Sequence, residues 1–286
     1  MLLGYNTNGF AHHRCSDAVE VIASLGYRCV GLSIDHGVLA PGARYSSEQL
    51  AWLQEFGREH GVCYVIETGA RYLLDAWRKH EPTLVSPEPE ARERRLGFYR
   101  HAIDTAATLN AVCVSLWSGV VHDGASQGEA MPRLVEGLGV VLRYAAERGV
   151  LVAFEPEPGM LIATLADYEH LRERLTAAKI DTAALRLTID IGHLHCNAEG
   201  DLTELLGRYA SHAVNMHVED MRGGVHEHLM FGDGEIDFGP VVATLGEVGY
   251  SGPLVVELSR HSHAAPLAAR RAIEFLQPLL ETSGDA

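Results

Sequence analysis

Short apolar runs alternate with longer amphipathic segments along the chain. The runs have the length of β-strands and cover residues 2–6, 29–34, 62–67, 111–117, 150–155, 185–190, 212–218 and 253–258. They are almost continuously apolar, as expected of parallel strands that are covered on both faces. Between them, apolar residues recur at helical spacing, for example in SDAVEVIASLG. Eight strands that alternate with eight helices predict a (β/α)8 barrel, the TIM-barrel architecture.

Glycines mark the ends of several predicted helices. Gly26, Gly61, Gly149 and Gly249 each precede a predicted strand closely, where helices commonly end in the left-handed conformation that glycine favours. A doubly wound open sheet is the alternative fold, but NTNGF after the first run lacks the GxGxxG pattern of its phosphate turn.

One longer connection, residues 69–90, is rich in proline and charge and is either a lid over the barrel mouth or a tolerated insertion.

The composition fits one large domain of this kind. The chain has 286 residues, of which 47% are hydrophobic, and barrels of about 250 residues form single domains. We therefore expect one barrel domain over residues 1–286. The net charge of −15 argues against a surface that follows phosphates, so no nucleic-acid partner is expected.

The sequence predicts neither a membrane protein nor a disulfide framework. Uninterrupted apolar stretches stay below the ~18 residues that a membrane span needs. The N-terminal MLLGYNTNGFAHH lacks the basic and apolar regions of a signal peptide. The cysteines are scattered and form no CxxC pair; they are Cys15, Cys29, Cys63, Cys113 and Cys196. We therefore expect free thiols and a cytoplasmic location, and a homo-oligomer stays open.

Four consecutive predicted strands finish in residues that can bind a metal ion. The fifth ends in Glu155, the sixth in Asp190 and the eighth in Glu257, and the seventh carries His217 near its end. TIM-barrel active sites lie at the C-terminal ends of the strands, so these side chains are expected to converge. Converging carboxylates repel one another, and a divalent cation removes that cost. Three carboxylates with one imidazole favour Mn²⁺, our first choice, or Mg²⁺, and Co²⁺ and Zn²⁺ are also compatible.

These strand-end residues carry a family resemblance. Together with Asp190-x-x-His193, His217-x-x-Asp220 and the GDGEIDF turn, they resemble the xylose-isomerase-like superfamily of sugar isomerases and epimerases. That superfamily includes ketose 3-epimerases, hydroxypyruvate isomerase, inosose-processing enzymes and endonuclease IV. The resemblance covers the whole chain through its strand order, and its motifs are specific for the superfamily but not for a substrate.

The resemblance implies a metal site and a catalytic pair. It implies that the four strand-end residues hold one divalent metal, and that Glu155 and Glu257 also act as acid and base on opposite faces of the substrate. Such a metal polarises a carbonyl and lowers the pKa of the α-carbon, so that one carboxylate removes the proton and the other returns it. The resemblance also implies that His193 and an arginine after the metal-binding histidine contact the substrate, and Arg222 is the nearest candidate.

At one position the chain departs from the ketose 3-epimerases. Those enzymes carry a second glutamate six residues after the glutamate of the fifth strand, where this chain has Leu161. Glu157 instead follows Glu155 by two residues, between the two prolines of EPEPG. Glu157 is therefore a candidate for contact with the substrate or with the metal ligands.

Other candidate substrate-binding residues follow other strands. Glu67 ends the third strand and can form hydrogen bonds with a polyol. Trp117 ends the fourth strand and either stacks on a sugar or packs in the core. His36 follows the second strand, and Asn6 and Asn8 follow the first, where they line the mouth or form the turn.

The segment HVEDMRGGVHEHLMFGDGE, residues 217–235, is predicted to be a loop. We expect it to fold over the barrel mouth with His228 facing the substrate, and a solvated loop is the alternative for His226 and His228. A histidine near this point in endonuclease IV helps to bind additional zinc. The third and fourth strands of this chain end in Glu67 and Trp117 rather than in the further histidines that such zinc ions require.

The predicted function is a divalent-metal-dependent isomerase or epimerase of a ketose, aldose or inosose, which uses a glutamate pair to move a proton α to a carbonyl. A metal-dependent dehydratase or lyase on a related polyol or C-glycoside is the alternative. A phosphodiester hydrolase resembling endonuclease IV and a silent metabolite-binding barrel are less favoured. A phosphorylated substrate stays open, because Arg260, His261 and His263 follow the eighth strand.

Overall fold

The computed structural model describes residues 1–284, which contain a closed barrel of eight parallel strands. The strands are β1 (Leu2–Asn6), β2 (Cys29–Ser33), β3 (Cys63–Glu67), β4 (Val114–Leu116), β5 (Val152–Phe154), β6 (Leu185–Asp190), β7 (Ala213–Val218) and β8 (Pro253–Val256). Neighbours in sequence are neighbours in the sheet, and β1 closes the barrel against β8 through pairs such as Leu3 with Leu254. The predicted barrel is therefore confirmed.

Helices connect the strands in the expected alternation. They are α1 (Cys15–Ser24), α2 (Ser46–His60), α3 (Pro89–Leu109), α4 (Gln127–Glu147), α5 (Leu165–Ala177), α6 (Ile191–Cys196), α7 (Leu202–Tyr209), α8 (Phe238–Glu247) and α9 (Ala265–Gly284). The glycine stops are confirmed, since Gly26, Gly61, Gly149 and Gly249 have φ values of 107°, 64°, 67° and 71°. No helix within residues 1–284 is long and apolar enough to cross a membrane.

The inside of the barrel contains layers of different chemistry. An apolar layer of buried residues consists of Cys29, Val65, Cys113, Ala153 and Val255. Side chains alternate between the two faces of a strand, so the residues two positions later point into the barrel as well. In β3, and just past β5 and β8, those residues are Glu67, Glu155 and Glu257. The chemistry of the interior thus changes from apolar to acidic towards the C-terminal ends of the strands.

The segment after β7 differs from the predicted loop. Asp220–Arg222 and Val225–Leu229 pair as an antiparallel hairpin. The turn between them is the Gly223–Gly224 dipeptide, and glycine is the residue that such two-residue turns favour. The hairpin stands beside the C-terminal ends of the strands and contributes to the site described next.

Candidate active site

A cavity of about 480 Å³ lies at the C-terminal ends of the strands. The sequence-predicted residues that line it are Asn6, Asn8, Glu67, Trp117, Glu155, Glu157, His193, His217, His228 and Glu257. Asp190 is buried beside them and is 2% exposed. The barrel thus brings together side chains from seven strands or the residues that follow them.

Four strand-end side chains come together at the floor of the cavity. His217 Nδ1 lies 2.9 Å from Glu155 Oε1, 3.1 Å from Glu257 Oε2 and 3.9 Å from Asp190 Oδ2. One potential ligand atom from each residue lies within 4.8 Å of the others. Metal–ligand distances of about 2.0–2.6 Å separate the donors around one ion by about 3–5 Å. The spacing is therefore compatible with a single ion.

Burial and mutual contact shift the pKa values of the side chains at the floor of the cavity. Desolvation raises the pKa of Glu155 to about 7. Burial acts in the same direction on Glu257, but the neighbouring His217 holds the pKa of Glu257 below its usual value. Desolvation lowers the pKa of His217, yet Glu155, Glu67 and Glu257 together raise it well above its usual value. The cluster therefore favours a positive charge at its centre.

The donor atoms of the floor fit a divalent ion. Asp190 Oδ1 accepts a hydrogen bond from the backbone N–H of His193 at 2.9 Å, and this bond holds the carboxylate in place. The buried Oδ2 of Asp190 has no hydrogen-bond partner in the part of the chain that the structure describes. The nearest ring nitrogen to this oxygen is His193 Nε2 at 3.4 Å. A buried charged oxygen that lacks a hydrogen bond is costly, and a cation would satisfy it. Three carboxylates and one imidazole are suitable donors for such a cation.

Hydrogen bonds from other strands orient two members of the floor. Glu67 Oε1 lies 2.9 Å from His217 Nε2, so it can accept the Nε2–H and leave Nδ1 directed at Glu155 and Glu257. The Asn8 amide donates a hydrogen bond to Glu257 Oε1 at 2.6 Å. The sequence predicts that Glu67 contacts the substrate, but in the structure its Oε1 lies within hydrogen-bond distance of His217. A partner of this kind fixes the tautomer and the ring orientation of a metal-binding histidine.

Two histidines of the hairpin, His226 and His228, lie next to His193. His193 Nε2 lies 3.1 Å from His226 Nε2, and the His226 and His228 rings are 5.2 Å apart. Both hairpin histidines line the cavity. Desolvation lowers the pKa of His226 to about 4 and also lowers the pKa of His193. These two rings are therefore neutral near pH 7, and the cavity has an imidazole wall above its acidic floor.

Asp220, which the sequence pattern includes with His217, closes a turn. Its Oδ2 accepts hydrogen bonds from the backbone N–H groups of Gly232 and Gly234, both at 2.9 Å. A Cβ at Gly234 would collide with Asp220 Oδ1, so the GDGE turn requires glycine at that position. Asp220 thus anchors the hairpin rather than facing the cavity.

Glu219 is an acidic residue that sequence analysis missed. It is completely buried, and desolvation together with the charge of Asp190 raises its pKa well above the usual value. A Cβ at Gly192 would collide with Glu219 Oε1, so Glu219 packs against the start of α6. The only sequence signal was an acidic residue directly after the apolar end of β7.

Two predicted substrate-binding residues lie outside the cavity. Arg222 is exposed at the end of its hairpin strand and donates a hydrogen bond to the Asp233 carbonyl at 3.1 Å. His36 is exposed because Asp35 and Val38 pair in a tight turn that carries it, and it lines a separate surface groove. Neither Arg222, the predicted substrate contact, nor His36, the candidate after the second strand, lines the cavity.

Trp117 both packs in the core and forms part of the cavity wall. Its ring meets the His80 ring edge-on, with centroids 5.5 Å apart. The guanidinium of the completely buried Arg95 lies 4.7 Å from the centroid of the Trp117 ring. Arg95 also donates a hydrogen bond to the Thr68 carbonyl at 2.9 Å. The two alternatives for Trp117 are thus not exclusive.

Sequence analysis also missed most of the positive side of the cavity. Arg71 and Lys79 line it from the connection between β3 and α3, and Arg260 lines it from the loop after β8. That connection, predicted as a lid or an insertion, therefore borders the site. The one available signal was that Lys79 is one of only two lysines in the chain.

The molecule is a TIM barrel whose ionisable side chains gather at the C-terminal ends of the strands, the end at which TIM-barrel enzymes have their active sites. The family model described as xylose isomerase-like TIM barrel matches residues 19–279. The chain belongs to this family, and the resemblance inferred from the sequence is confirmed.

Individual relatives give the family context. An L-ribulose-5-phosphate 3-epimerase of Salmonella paratyphi C is 26% identical over 273 residues, which cover 94% of this chain and 90% of the relative. The solved structure of a D-tagatose 3-epimerase-like protein has a TM-score of 0.79 at 21% identity and covers 100% of this chain and 99% of its own. The IolI protein, solved with a zinc atom, has a TM-score of 0.78 at 17% identity and covers 99% of both chains. Together with the family match, the named epimerases confirm the expectation of an enzyme of the sugar isomerase and epimerase class.

Proposed function

We propose that this enzyme is a divalent-metal-dependent sugar isomerase or epimerase that moves a proton at the carbon next to a carbonyl. The observation that carries the proposal is the convergence of Glu155, Asp190, His217 and Glu257 on the floor of one cavity. A relative named for a 3-epimerase reaction on L-ribulose 5-phosphate supports a ketose as substrate. The proposed substrate is therefore a ketose or a related sugar with a hydroxyl beside its carbonyl.

The four floor residues would hold one divalent ion. Mn²⁺ is the proposed ion because three hard carboxylates accompany a single imidazole. When bound, the ion supplies Lewis acidity that polarises the carbonyl and lowers the pKa of the adjacent C–H. Glu67 keeps His217 Nδ1 available as a ligand by accepting the Nε2–H. The IolI protein, which has a similar fold, was solved with a bound zinc atom, and this supports the proposal of a metal ion here.

Glu155 and Glu257 are the proposed proton-transfer pair. They follow β5 and β8, which are three strands apart around the barrel, so their carboxylates reach the floor from different directions. One carboxylate oxygen accepts the proton from the substrate carbon. The protonated carboxyl group of the other residue returns a proton to that carbon, and the configuration inverts when the two act on opposite faces.

The wall of the cavity would orient the substrate. His193 and His228 present imidazole nitrogens, and Glu157 presents a carboxyl group, for hydrogen bonds with sugar hydroxyls. Trp117 presents an aromatic surface against which sugar C–H groups can pack. Arg222 and His36 are not part of the proposed site because neither lines the cavity.

A screen for proton exchange tests the function directly. The Mn²⁺-loaded protein is incubated in D₂O with ketoses, aldoses and inososes, and deuterium at the α-carbon is followed by NMR. We expect deuterium in the remaining substrate and in its epimer or isomer. An unsaturated product formed with loss of water would identify the dehydratase alternative instead. Absence of exchange with every sugar and every divalent ion tried would rule out the proposal.

A further inference from the structure

Three positive side chains border a cavity whose floor is acidic. Arg71, Lys79 and Arg260, called the rim cluster below, all line this cavity. Two separate parts of the chain supply them, the connection between β3 and α3 and the loop after β8. The net charge of the chain is −15, and its only other lysine is Lys179. Chance composition is therefore a poor explanation for three cations around one opening.

Few carboxylates lie close enough to the rim cluster to neutralise its positive charge. Lys79 forms no ion pair or side-chain hydrogen bond with any of the described residues. The nearest carboxylate to Arg71 is that of Asp35, with Oδ2 at 4.0 Å. Arg260 pairs with Glu227 at 3.1 Å, but these side chains are 58% and 44% exposed, and exposed pairs contribute little. Most of the positive charge at the mouth is thus available to a ligand.

The three cations also act on one another. Burial lowers the pKa of Lys79, and the charges of Arg71 and Arg260 lower it further, while the charge of Glu157 acts in the opposite direction. An anion placed between these groups would remove their repulsion. Phosphate and carboxylate are the anions that arginine and lysine recognise through charge-assisted hydrogen bonds.

The acidic floor determines which end of a ligand can carry this anion. The carboxylates of Glu155, Asp190 and Glu257 at the floor carry three negative charges against the two positive charges of the proposed ion, so the floor stays unfavourable for a further negative group. The anion must therefore lie at the mouth, while the carbonyl lies at the floor. A cavity of about 480 Å³ is within the range of small-molecule sites and can enclose a sugar with one such group.

We propose that the rim cluster binds an anionic group of the substrate, so that the enzyme acts on a sugar with a phosphate or a carboxylate at the end remote from the reacting carbonyl. This inference rests on the proposed function and specifies its substrate class. The competing explanation is that the rim cluster only offsets the negative charge of the floor.

Substrate comparison provides the first test. The value of kcat/KM is measured for a ketopentose phosphate, for the same ketopentose without phosphate, and for a keto sugar acid. We expect one of the two anionic sugars to exceed the neutral sugar by about 10- to 100-fold, the usual effect of charge-assisted hydrogen bonds. Which anionic sugar is preferred distinguishes phosphate from carboxylate. Equal values for all three sugars would overturn the proposal.

Two variants and a matched control connect the preference to the rim cluster. Lys79→Met and Arg260→Gln should each lower the ratio of kcat/KM for the anionic sugar to that for the neutral sugar about tenfold, and added salt should lower the ratio as well. Lys179→Met removes the other lysine, which is exposed and does not line the cavity, and should leave the ratio unchanged. An unchanged ratio in both rim variants would contradict the assignment.

A binding measurement separates this proposal from the proposed function. Inorganic phosphate is titrated calorimetrically into the metal-loaded protein. Phosphate that binds the parent and the Lys179→Met protein, but binds Lys79→Met about tenfold more weakly, supports the rim cluster even if no sugar is turned over. Phosphate that binds Lys79→Met as tightly as the parent counts against the rim cluster, whatever the outcome of the sugar screen.

Discussion

The apolar layer and the acidic residues above it occupy the same strands and differ completely in chemistry. Val65 and Val255 are fully buried and pack inside the barrel, whereas Glu67 and Glu257, two positions later, reach the cavity. The alternation of a strand places both members of each pair on the inner face. The position of an inward-facing side chain along the strand therefore determines its role. Earlier positions pack in the apolar core, and positions at the C-terminal end reach the candidate active site.

The two layers have opposite effects on the stability of the fold. The apolar layer is removed from water at no electrostatic cost. The acidic layer, by contrast, gathers carboxylates in a buried space; desolvation and the charges of Glu155, Glu257 and Asp190 raise the pKa of Glu157 well above its usual value. Such an arrangement destabilises the protein unless a cation or a proton offsets it. Residues of the acidic layer should therefore matter for activity more than for folding, and residues of the apolar layer should show the reverse.

Removal of the divalent ion should have the largest effect. A chelator followed by dialysis should abolish turnover, while the far-UV circular dichroism spectrum stays that of the folded barrel, because the apolar core contains no metal ligand. The melting temperature should fall, because an ion that binds only the folded state stabilises it. Added Mn²⁺ should restore activity at one ion per chain by elemental analysis. Full turnover by protein proven free of metal would contradict the proposed site.

Replacement of the proton-transfer pair should have the next largest effect. Glu155→Gln and Glu257→Gln keep the shape and one oxygen of each side chain but remove its basic function. Each should lower kcat about 10²- to 10⁴-fold, the usual contribution of general acid–base catalysis, and retain much of the metal. Thermal stability should stay equal or rise in Glu155→Gln, because burial disfavours the charge of Glu155. It should fall in Glu257→Gln, because the neighbouring His217 stabilises the charge of Glu257.

An exposed glutamate provides the control for this pair. Glu247→Gln, at the end of α8, should leave kcat within about twofold. A large loss in only one of the two buried variants would indicate a single-base isomerase or an elimination. Retained activity in both, with metal bound, would falsify the proposed mechanism.

Glu67→Gln should act through the metal rather than on the reaction itself. The hydrogen bond of Glu67 to His217 supports a ligand, and loss of such support typically weakens metal affinity about 10- to 100-fold. Titration of the metal-free protein with Mn²⁺ measures this affinity, and kcat at saturating Mn²⁺ should recover most of its original value. If Glu67→Gln keeps the metal affinity of the parent but has a higher KM, Glu67 contacts the substrate, as its position in the sequence predicts.

A truncation in the apolar layer should give the reverse pattern. Val255→Ala removes buried methyl groups two residues before Glu257 and should lower the free energy of unfolding by about 2 kcal/mol. Urea denaturation measures this loss. The value of kcat/KM at 25 °C should stay within about twofold as long as the protein is folded. A large catalytic loss at unchanged stability would show that the two layers are not separate.

The parts of this molecule that could be predicted from sequence depend on local signals. Each barrel strand is an apolar run, and the ionisable residue at its end can be read directly, as with Glu155 and Asp190. The partners of these residues could not be predicted, because they come from distant segments. Glu67 contacts His217 from 150 residues away, and Asn8 contacts Glu257 across 249 residues. Such contacts exist only once the barrel has closed.

The hairpin after β7 illustrates the same limit on a smaller scale. His226 and His228 are two residues apart in one strand and share the face that meets His193. Arg222 precedes the glycine turn and faces solvent instead. The sequence predicts a loop for this segment, and a loop has no regular alternation of side chains. It therefore could not predict that the histidines face the cavity while the arginine faces solvent.

Arg222→Ala should have the smallest effect of the substitutions considered. Its guanidinium bonds an exposed backbone carbonyl and does not line the cavity, and surface changes of this kind usually alter stability by less than about 0.5 kcal/mol. We expect kcat/KM within about twofold of the parent. His193→Ala, the matched comparison from the cavity wall, should raise KM about tenfold or more with a smaller change in kcat, because its contacts are proposed to bind the substrate in the ground state and the transition state alike. The two variants are compared by steady-state kinetics at saturating Mn²⁺. A rise in KM for Arg222→Ala as large as that for His193→Ala would mean that the hairpin rearranges on substrate binding and brings the arginine to the site.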